Sequence, residues 1–379
     1  PRYSWSIPLV AALVASGYSY SHKEEIDDLG LDSGADSSDR CLGPPYLYIS
    51  MHHETHNILK YSRNGCLLSS RVLAGGPVHR HSQLRSMTVA ANGDLYVTKA
   101  EQISEVLVYG LCKGFNESAN EISDPSEPNE PILMTMGDFE NNLTKGRRPF
   151  KRIVVDVRLN AGAKHPYGIA LDPDQNVYVS FQHTDAVLRF FADTFVEMPF
   201  PAAMQSRKDR DELFPGTFHQ FGRALTHGKG ERGVRGLAVV HGEGLEVPQL
   251  WVANRNLGGV EVFDLVSGAH AGFVEVRKPI GVVFDERLGV VLVSSKGKKS
   301  KGKDGAVYVV DPVQQEILSE LRTKHMYHPT GMAVHGDVLY VADQKLGHVF
   351  AFHLPSGRKL GKAVHTLPGR VEQMALSPC

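Results

Sequence analysis

Amphipathic helical periods are nearly absent from this chain of 379 residues, and no glycine-rich phosphate loop follows a strand in a β-α context. Both absences argue against a doubly wound α/β fold. Catalytic signatures are missing as well: there is no Gly-x-Ser-x-Gly elbow and no compact His-Glu-x-x-His pair. Neither sign of charge is in excess. A formal net charge of -1 excludes a general polyanion binder of the kind that coats nucleic acid. Cysteine is scarce, but the four present make an even number suited to disulfides. The apolar run at residues 7–17 is too short to span a bilayer, so no stable membrane insertion is expected.

What is present is a repeat. His165-Pro166-Tyr167-Gly168-Ile169-Ala170-Leu171, followed by Val177-Tyr178-Val179-Ser180, returns as His328-Pro329-Thr330-Gly331-Met332-Ala333-Val334, followed by Leu339-Tyr340-Val341-Ala342-Asp343. A β-hairpin recurring at roughly forty residues or more is the signature of a propeller. Further copies begin at Leu84, Val234 and Lys278. A sixth is split between the termini: Val371 to Ser377 reads as a first strand, and Tyr46 to Ser50 as the second strand it lacks. The expected fold is therefore all-β, a six-bladed propeller whose N- and C-terminal segments close the ring in one blade and leave no free edge.

The turn Pro-x-Gly-apolar-Ala followed by Leu-Tyr-Val-Ala-Asp, clearest at 328–343 and 165–180, resembles the NHL-repeat class of six-bladed propellers over roughly residues 44–378. That class includes extracellular lyases, hydrolase relatives and plain binding modules, so the resemblance implies a fold and leaves activity open.

The domain organisation reads as a signal-peptide-like segment (1–20), a flexible acidic leader (21–40) and a single propeller domain (41–379), with insertions at about 111–150 and 192–232. The first insertion carries the glycosylation sequons of Asn116 and Asn142. Together these features predict a secreted or extracellular glycoprotein. In the split blade, Cys41 precedes the second strand and Cys379 follows the first. A Cys41–Cys379 bond is expected across that gap, leaving Cys66 and Cys112 as the other pair.

Propeller geometry nominates one face for a ligand, because residues before each first strand and after each second strand meet at one end of the channel. Arg85, Arg235, Arg255 and Lys278 would form a positive mouth there for an acidic glycan, peptide or protein, with Tyr167 and Glu372 beside them. The two arginines of the first strands, Arg85 and Arg235, are expected to be dispensable for core packing. A second reading takes zinc or another divalent metal on His165, His183 and His328, with His52 and His53 near by. Resemblance to the peptidyl-hydroxyglycine amidating lyase propellers, which place histidines from different blades around a metal, would make the chain a metal-dependent lyase or hydrolase. Calcium-dependent lactonase-like propellers place Asn, Asp or Glu at the channel end; here only Glu372 is such a ligand and two arginines oppose a cation. Whether the chain is an enzyme stays open at this point, and recognition of an acidic ligand is the preferred reading. A run of lysines at 296–303 would add a basic finger on the same face.

Overall fold

The computed structural model describes residues 41–52, 58–74, 83–100, 104–110, 148–156, 165–183, 186–190, 217–219, 233–297 and 305–377. These form six sheets, one per blade, antiparallel apart from one short parallel pair in blade two. Blade one holds β1 (Tyr46–His52), β2 (Leu59–Tyr61) and β3 (Leu67–Ser69). In blade two, β5 (Leu84–Val89), β6 (Leu95–Ala100), β7 (Ser104–Tyr109) and β8 (Arg148–Asp156) are joined by a two-residue β4 (Leu73–Ala74) running parallel to β8. Blade three is β9 (Pro166–Leu171), β10 (Val177–Phe181), β11 (Ala186–Phe190) and β12 (Thr217–His219). Blade four is β13 (Val234–Val240), β14 (Gln249–Asn254), β15 (Gly259–Asp264) and β16 (His270–Glu275). Blade five is β17 (Pro279–Asp285), β18 (Val290–Ser295), β19 (Ala306–Asp311) and β20 (Glu316–Leu321). Blade six is β21 (Pro329–His335), β22 (Val338–Asp343), β23 (His348–His353) and β24 (Arg358–Val364). Finally β25 (Arg370–Ser377) returns to blade one and pairs with β1, Tyr46 opposite Ser377 and Ile49 opposite Met374. The ring thus closes through the two terminal segments, as the split repeat predicts.

The alternation of each strand builds the core. In β1, Leu47, Ile49 and Met51 pack against blade six, while Tyr46 and Tyr48 pack against blade two. Every pair of adjacent blades encloses one such apolar cluster, so the core is a ring of six interfaces. At the middle of the second strands, an aromatic side chain faces a small residue of the first strand: Tyr48 opposite Ala375, Tyr96 opposite Thr88, Tyr178 opposite Ala170, Trp251 opposite Ala238 and Tyr340 opposite Ala333. Blade five departs, with Leu292 opposite Val283. Large against small keeps the interblade volume filled.

First strands of neighbouring blades touch around a central channel. The approach is close enough to require glycine. A Cβ on Gly168 would stand 2.9 Å from the Arg235 carbonyl oxygen, and one on Gly236 would stand 2.8 Å from that of Ile280.

The disulfide differs from expectation. Cys41 bonds to Cys66, with Cα atoms 5.7 Å apart and a sequence separation of 25. The antiparallel pairing of β1 with β2, Leu47 opposite Tyr61, brings the chain before β1 beside the chain after β2. Asn64 reinforces the join by accepting the Leu42 N–H at 3.1 Å. The Cys41–Cys379 and Cys66–Cys112 pairings are therefore corrected: a hairpin neighbour, rather than the closing strand, supplies the partner. Closing a loop of this size contributes about 3 kcal/mol in the chain-entropy account. Cys112, Cys379, the segment 1–40, Asn116, Asn142 and the lysines beyond Lys296 lie outside the described residues. Of the two insertions, residues 148–150 belong to β8 and 217–219 to β12. No helix among the described residues is long and apolar enough to cross a membrane.

Candidate functional site: the upper mouth of the channel

Each second strand runs back to the start of its first strand, so these ends collect on one face, here the upper one. A repeated hydrogen bond fixes the join. The N–H at or just after the end of the second strand donates to the carbonyl two residues before the first-strand position lining the channel: Ala100 to Gln83 (3.2 Å), Gln182 to His165 (2.9 Å), Arg255 to Gly233 (2.8 Å), Lys296 to Lys278 (3.1 Å) and Gln344 to His328 (2.9 Å). Gln83, His165 and Lys278 take left-handed backbone at these joins, with φ of 54°, 61° and 53°. That conformation is costly for residues with a side chain, and it orients them away from the strand direction.

Two tiers result. The lower tier is a buried floor made of Arg85, Tyr167, Arg235, Ile280, Thr330 and Glu372, one residue from each blade. Its centre is an ion pair, Arg85 Nη1 to Glu372 Oε1 at 2.6 Å. Gln344 Nε2 donates to the same carboxylate oxygen at 3.1 Å, and the Tyr167 hydroxyl donates to Oε2 at 3.4 Å. Arg235 stacks its guanidinium over the Tyr167 ring at 5.3 Å. It also donates from Nη1 to the Val234 carbonyl at 2.8 Å and from Nη1 and Nη2 to the Gln182 amide oxygen at 2.9 Å each. Both arginines are thus built into the floor, contrary to the expectation that packing does not need them. A buried guanidinium needs partners, and blades one, three and four supply those of Arg85 and Arg235.

The upper tier is half-buried or exposed: His165, Gln182, His183, Arg255, Lys278, Lys296, His328, Gln344 and Arg370. Arg255, Lys278, Lys296 and Arg370 are cationic, and Glu372 in the floor is the carboxylate among these two tiers. Lys345, exposed beside Gln344, adds another cation. His165 and His328 do not contribute charge. Burial, followed by the fields of Arg85, His183 and Arg235, holds His165 down to a pKa of about 3 against the opposing pull of Glu372. His328 falls to about 3 as well, through burial and then Lys296, with Arg255 and Lys345 adding to it and Glu372 opposing. Neutral His165 accepts at Nε2 from Arg85 Nη2 (3.4 Å) and Gln182 Nε2 (3.2 Å). Burial, with Glu372 near by, raises the Tyr167 phenol, which stays protonated and able to donate.

The polar groups at the ends of the second strands are less available than their positions suggest. Asp343 Oδ2 accepts the N–H groups of Tyr327 (2.6 Å) and His328 (2.9 Å), and its Oδ1 accepts those of Lys345 (2.9 Å) and Leu346 (3.0 Å). Lys99 pairs with Glu105 at 3.4 Å in a buried site. Both residues therefore shape turns and blade packing rather than present themselves to a ligand.

Among the described residues, no three His, Cys, Asp or Glu side chains gather in a group that could hold a metal ion. His165 and His183 stack face to face, with centroids 4.3 Å apart and planes 19° apart, and His165 Nε2 is engaged by protein donors. His328 belongs to blade six, half a ring away from blade three. The fit to zinc or another divalent ion is poor on this geometry; His53 lies outside the described residues. Neutral imidazoles, a protonated phenol and several cations suit the capture of an anion.

No family model matches the chain, and no curated protein matches it. Solved structures do. A chain of a nidogen/laminin complex superposes with a TM-score of 0.54 at 12% identity, covering 88% of this chain and 98% of that one. A protein of unknown function from Bacteroides caccae gives 0.53 at 10% identity, covering 88% and 99%. At such identities the likeness shows the propeller and nothing finer, and no family model ties the chain to the NHL-repeat class.

Proposed function

We propose that this propeller is a secreted binding module whose upper mouth captures an acidic ligand, a glycan, peptide or protein bearing carboxylate or sulfate groups. One observation carries the reading: the mouth sets Arg255, Lys278, Lys296 and Arg370 above a floor whose carboxylate, Glu372, is already matched by Arg85. An arriving anion meets cations from blades four, five and one, above a floor whose amide and phenol donors already satisfy Glu372 and His165. Neutral His165 and His328 flank these groups without repelling other cations or competing for the anion. The Cys41–Cys66 bond supports an oxidising compartment. The nidogen/laminin chain, a propeller found in a protein complex, supports a protein partner.

Arg255 and Lys278 are the side chains to change, since neither belongs to the buried floor. Binding of the full chain to immobilised polyglutamate and to heparin, measured by biolayer interferometry, should weaken about tenfold or more in the Arg255→Ala/Lys278→Ala double variant, with unchanged thermal unfolding. Wild-type binding should also fall steeply with salt. Binding that ignores the double substitution, or a wild type that retains neither polymer at low salt, would overturn the reading. Retention of one polymer and not the other assigns the peptide or the glycan class.

A further inference from the structure

On the lower face, where each first strand turns into its second, the channel opens as a cavity of about 670 Å³ walled by the ends of the first strands. A side cavity of about 440 Å³ joins it between blades five and six, lined by Phe284, Asp285, Glu286, Arg287, Val334 and Gly336. Phe284, Glu286 and Val334 border both spaces. Volumes of this size match those of small-molecule sites.

Asp285 is the unusual wall residue. It is 5% exposed, and its Oδ1 accepts the N–H groups of Arg287 (3.1 Å) and Leu288 (3.3 Å), whereas its Oδ2 is buried without a hydrogen-bond partner. The same repeat position in blade three shows what is missing. There Asp172 Oδ2 accepts from Asn176 Nδ2 at 2.8 Å and from the Tyr178 hydroxyl at 3.1 Å. Strand register makes Val290 and Leu292 the blade-five counterparts of Asn176 and Tyr178. Blade five therefore keeps the carboxylate and replaces both of its donors with aliphatic side chains. A buried oxygen left in that state costs free energy unless something outside the fold supplies the donor.

Charge around the cavity specifies that donor. Glu286 and Asp337 stand beside Asp285, and the one cation among the cavity-lining residues, Arg287, is held by Asp337 at 2.7 Å and by the Gly336 carbonyl at 3.2 Å. We propose that this cavity binds a small molecule carrying a primary ammonium on an apolar body, the Asp285 carboxylate turning its unpartnered oxygen toward the cavity to accept from the ammonium and the body lying along Phe284 and Val334 toward the channel. Burial raises the Asp285 pKa from its ordinary value of 3.8, a penalty that a bound cation relieves. The site is distinct from the upper mouth in face, charge and chemistry.

Hexylammonium and neutral 1-hexanol, which share an apolar chain, serve as probes for isothermal titration of the full-length protein. Hexylammonium should bind saturably, and hexanol roughly tenfold more weakly or worse. Asp285→Asn should lose hexylammonium binding by a similar factor while keeping the oxygen that accepts from Arg287 and Leu288. Val290→Asn restores the internal donor used in blade three. It should also lose binding, with a thermal midpoint equal to or above that of the unchanged protein, and it decides the matter if Asp285→Asn fails to fold. Equal binding of the two probes, binding that survives in Val290→Asn, or no saturable binding of hexylammonium would overturn the proposal.

Discussion

Burying an imidazole among cations keeps it neutral, and at His328 this has a consequence for stability. The folded His328 has a pKa of about 3 against an ordinary 6.5, and His165 behaves alike. Between those values the unfolded chain takes up protons that the folded chain refuses. Stability must therefore decline as pH falls from about 6.5 toward 3, and these two groups leave it unaffected above that window. Replacing His328 with Gln removes one such group. Thermal midpoints from pH 7.5 to 4 should fall less for His328→Gln than for the unchanged protein; parallel curves would contradict the burial argument. Arg85 illustrates the opposite case. It was legible as a mouth residue, yet no pattern in the sequence pairs it with Glu372, because the two lie at opposite ends of the chain and meet only when the ring closes. Removing one partner of such a buried pair costs about 3–5 kcal/mol, so Arg85→Ala reports on folding before it reports on ligand.

At the scale of the strand, one small device recurs. The pairing of first and second strands shifts register near the channel, as between Leu84 and Met87 or Val179 and Phe181. A hydroxyl on the second strand serves the N–H at the shift: Ser180 for Gly168 (2.8 Å), Ser294 for Gly281 (2.8 Å), Thr98 for Ser86 (2.8 Å) and Ser50 for Gln373 (3.1 Å). The same hydroxyl donates to the next blade, from Ser180 to the Arg235 carbonyl (2.5 Å), Ser294 to Thr330 (3.0 Å), Thr98 to Tyr167 (3.1 Å) and Ser50 to Arg85 (2.5 Å). Each hydroxyl thus stitches one blade to the following one directly beneath the mouth. Blades four and six carry Ala253 and Ala342 at this position. Ser180→Ala should cost about 1–3 kcal/mol by chemical denaturation, because it strands a buried donor and a buried acceptor. Ala253→Ser should instead add about 1 kcal/mol. A neutral Ser180→Ala would show that the stitch is idle.

These strands were the readable part of the sequence: the His165 and His328 repeats, with Tyr-Val in register, gave blade number and closure, since a period survives without any knowledge of contacts. The cysteine pairing did not read correctly. The split blade suggested Cys379 as the partner of Cys41, whereas the partner it takes, Cys66, is brought to it by the short β2 and the turn at Asn64, which the repeat does not encode. The orphaned oxygen of Asp285 did carry a signal, the replacement of Asn176 and Tyr178 by Val290 and Leu292, visible only once the register aligned the two copies.

Across the whole molecule, a net charge of -1 conceals a separation. Among the described residues, Arg255, Lys278, Lys296, Lys345 and Arg370 occupy the upper face, while Asp172, Asp174, Glu243, Glu246, Glu286 and Asp337 occupy turns of the lower face, where the cation Arg287 is matched by Asp337. Such an arrangement orients an approaching polyanion toward the upper end before contact, an effect that salt screens. The rigid ring makes this directional, since every blade is joined to its neighbours and none offers a free edge to a partner strand at the closure. Hydrogen–deuterium exchange of the full chain, with and without saturating polyglutamate, tests the central claim most directly. Slowed exchange is predicted in the backbone at 165–168, 254–257, 278–281 and 295–297, with the lower turns at 172–176, 241–247 and 285–289 unchanged; protection confined to those lower turns, or none at saturation, would contradict it.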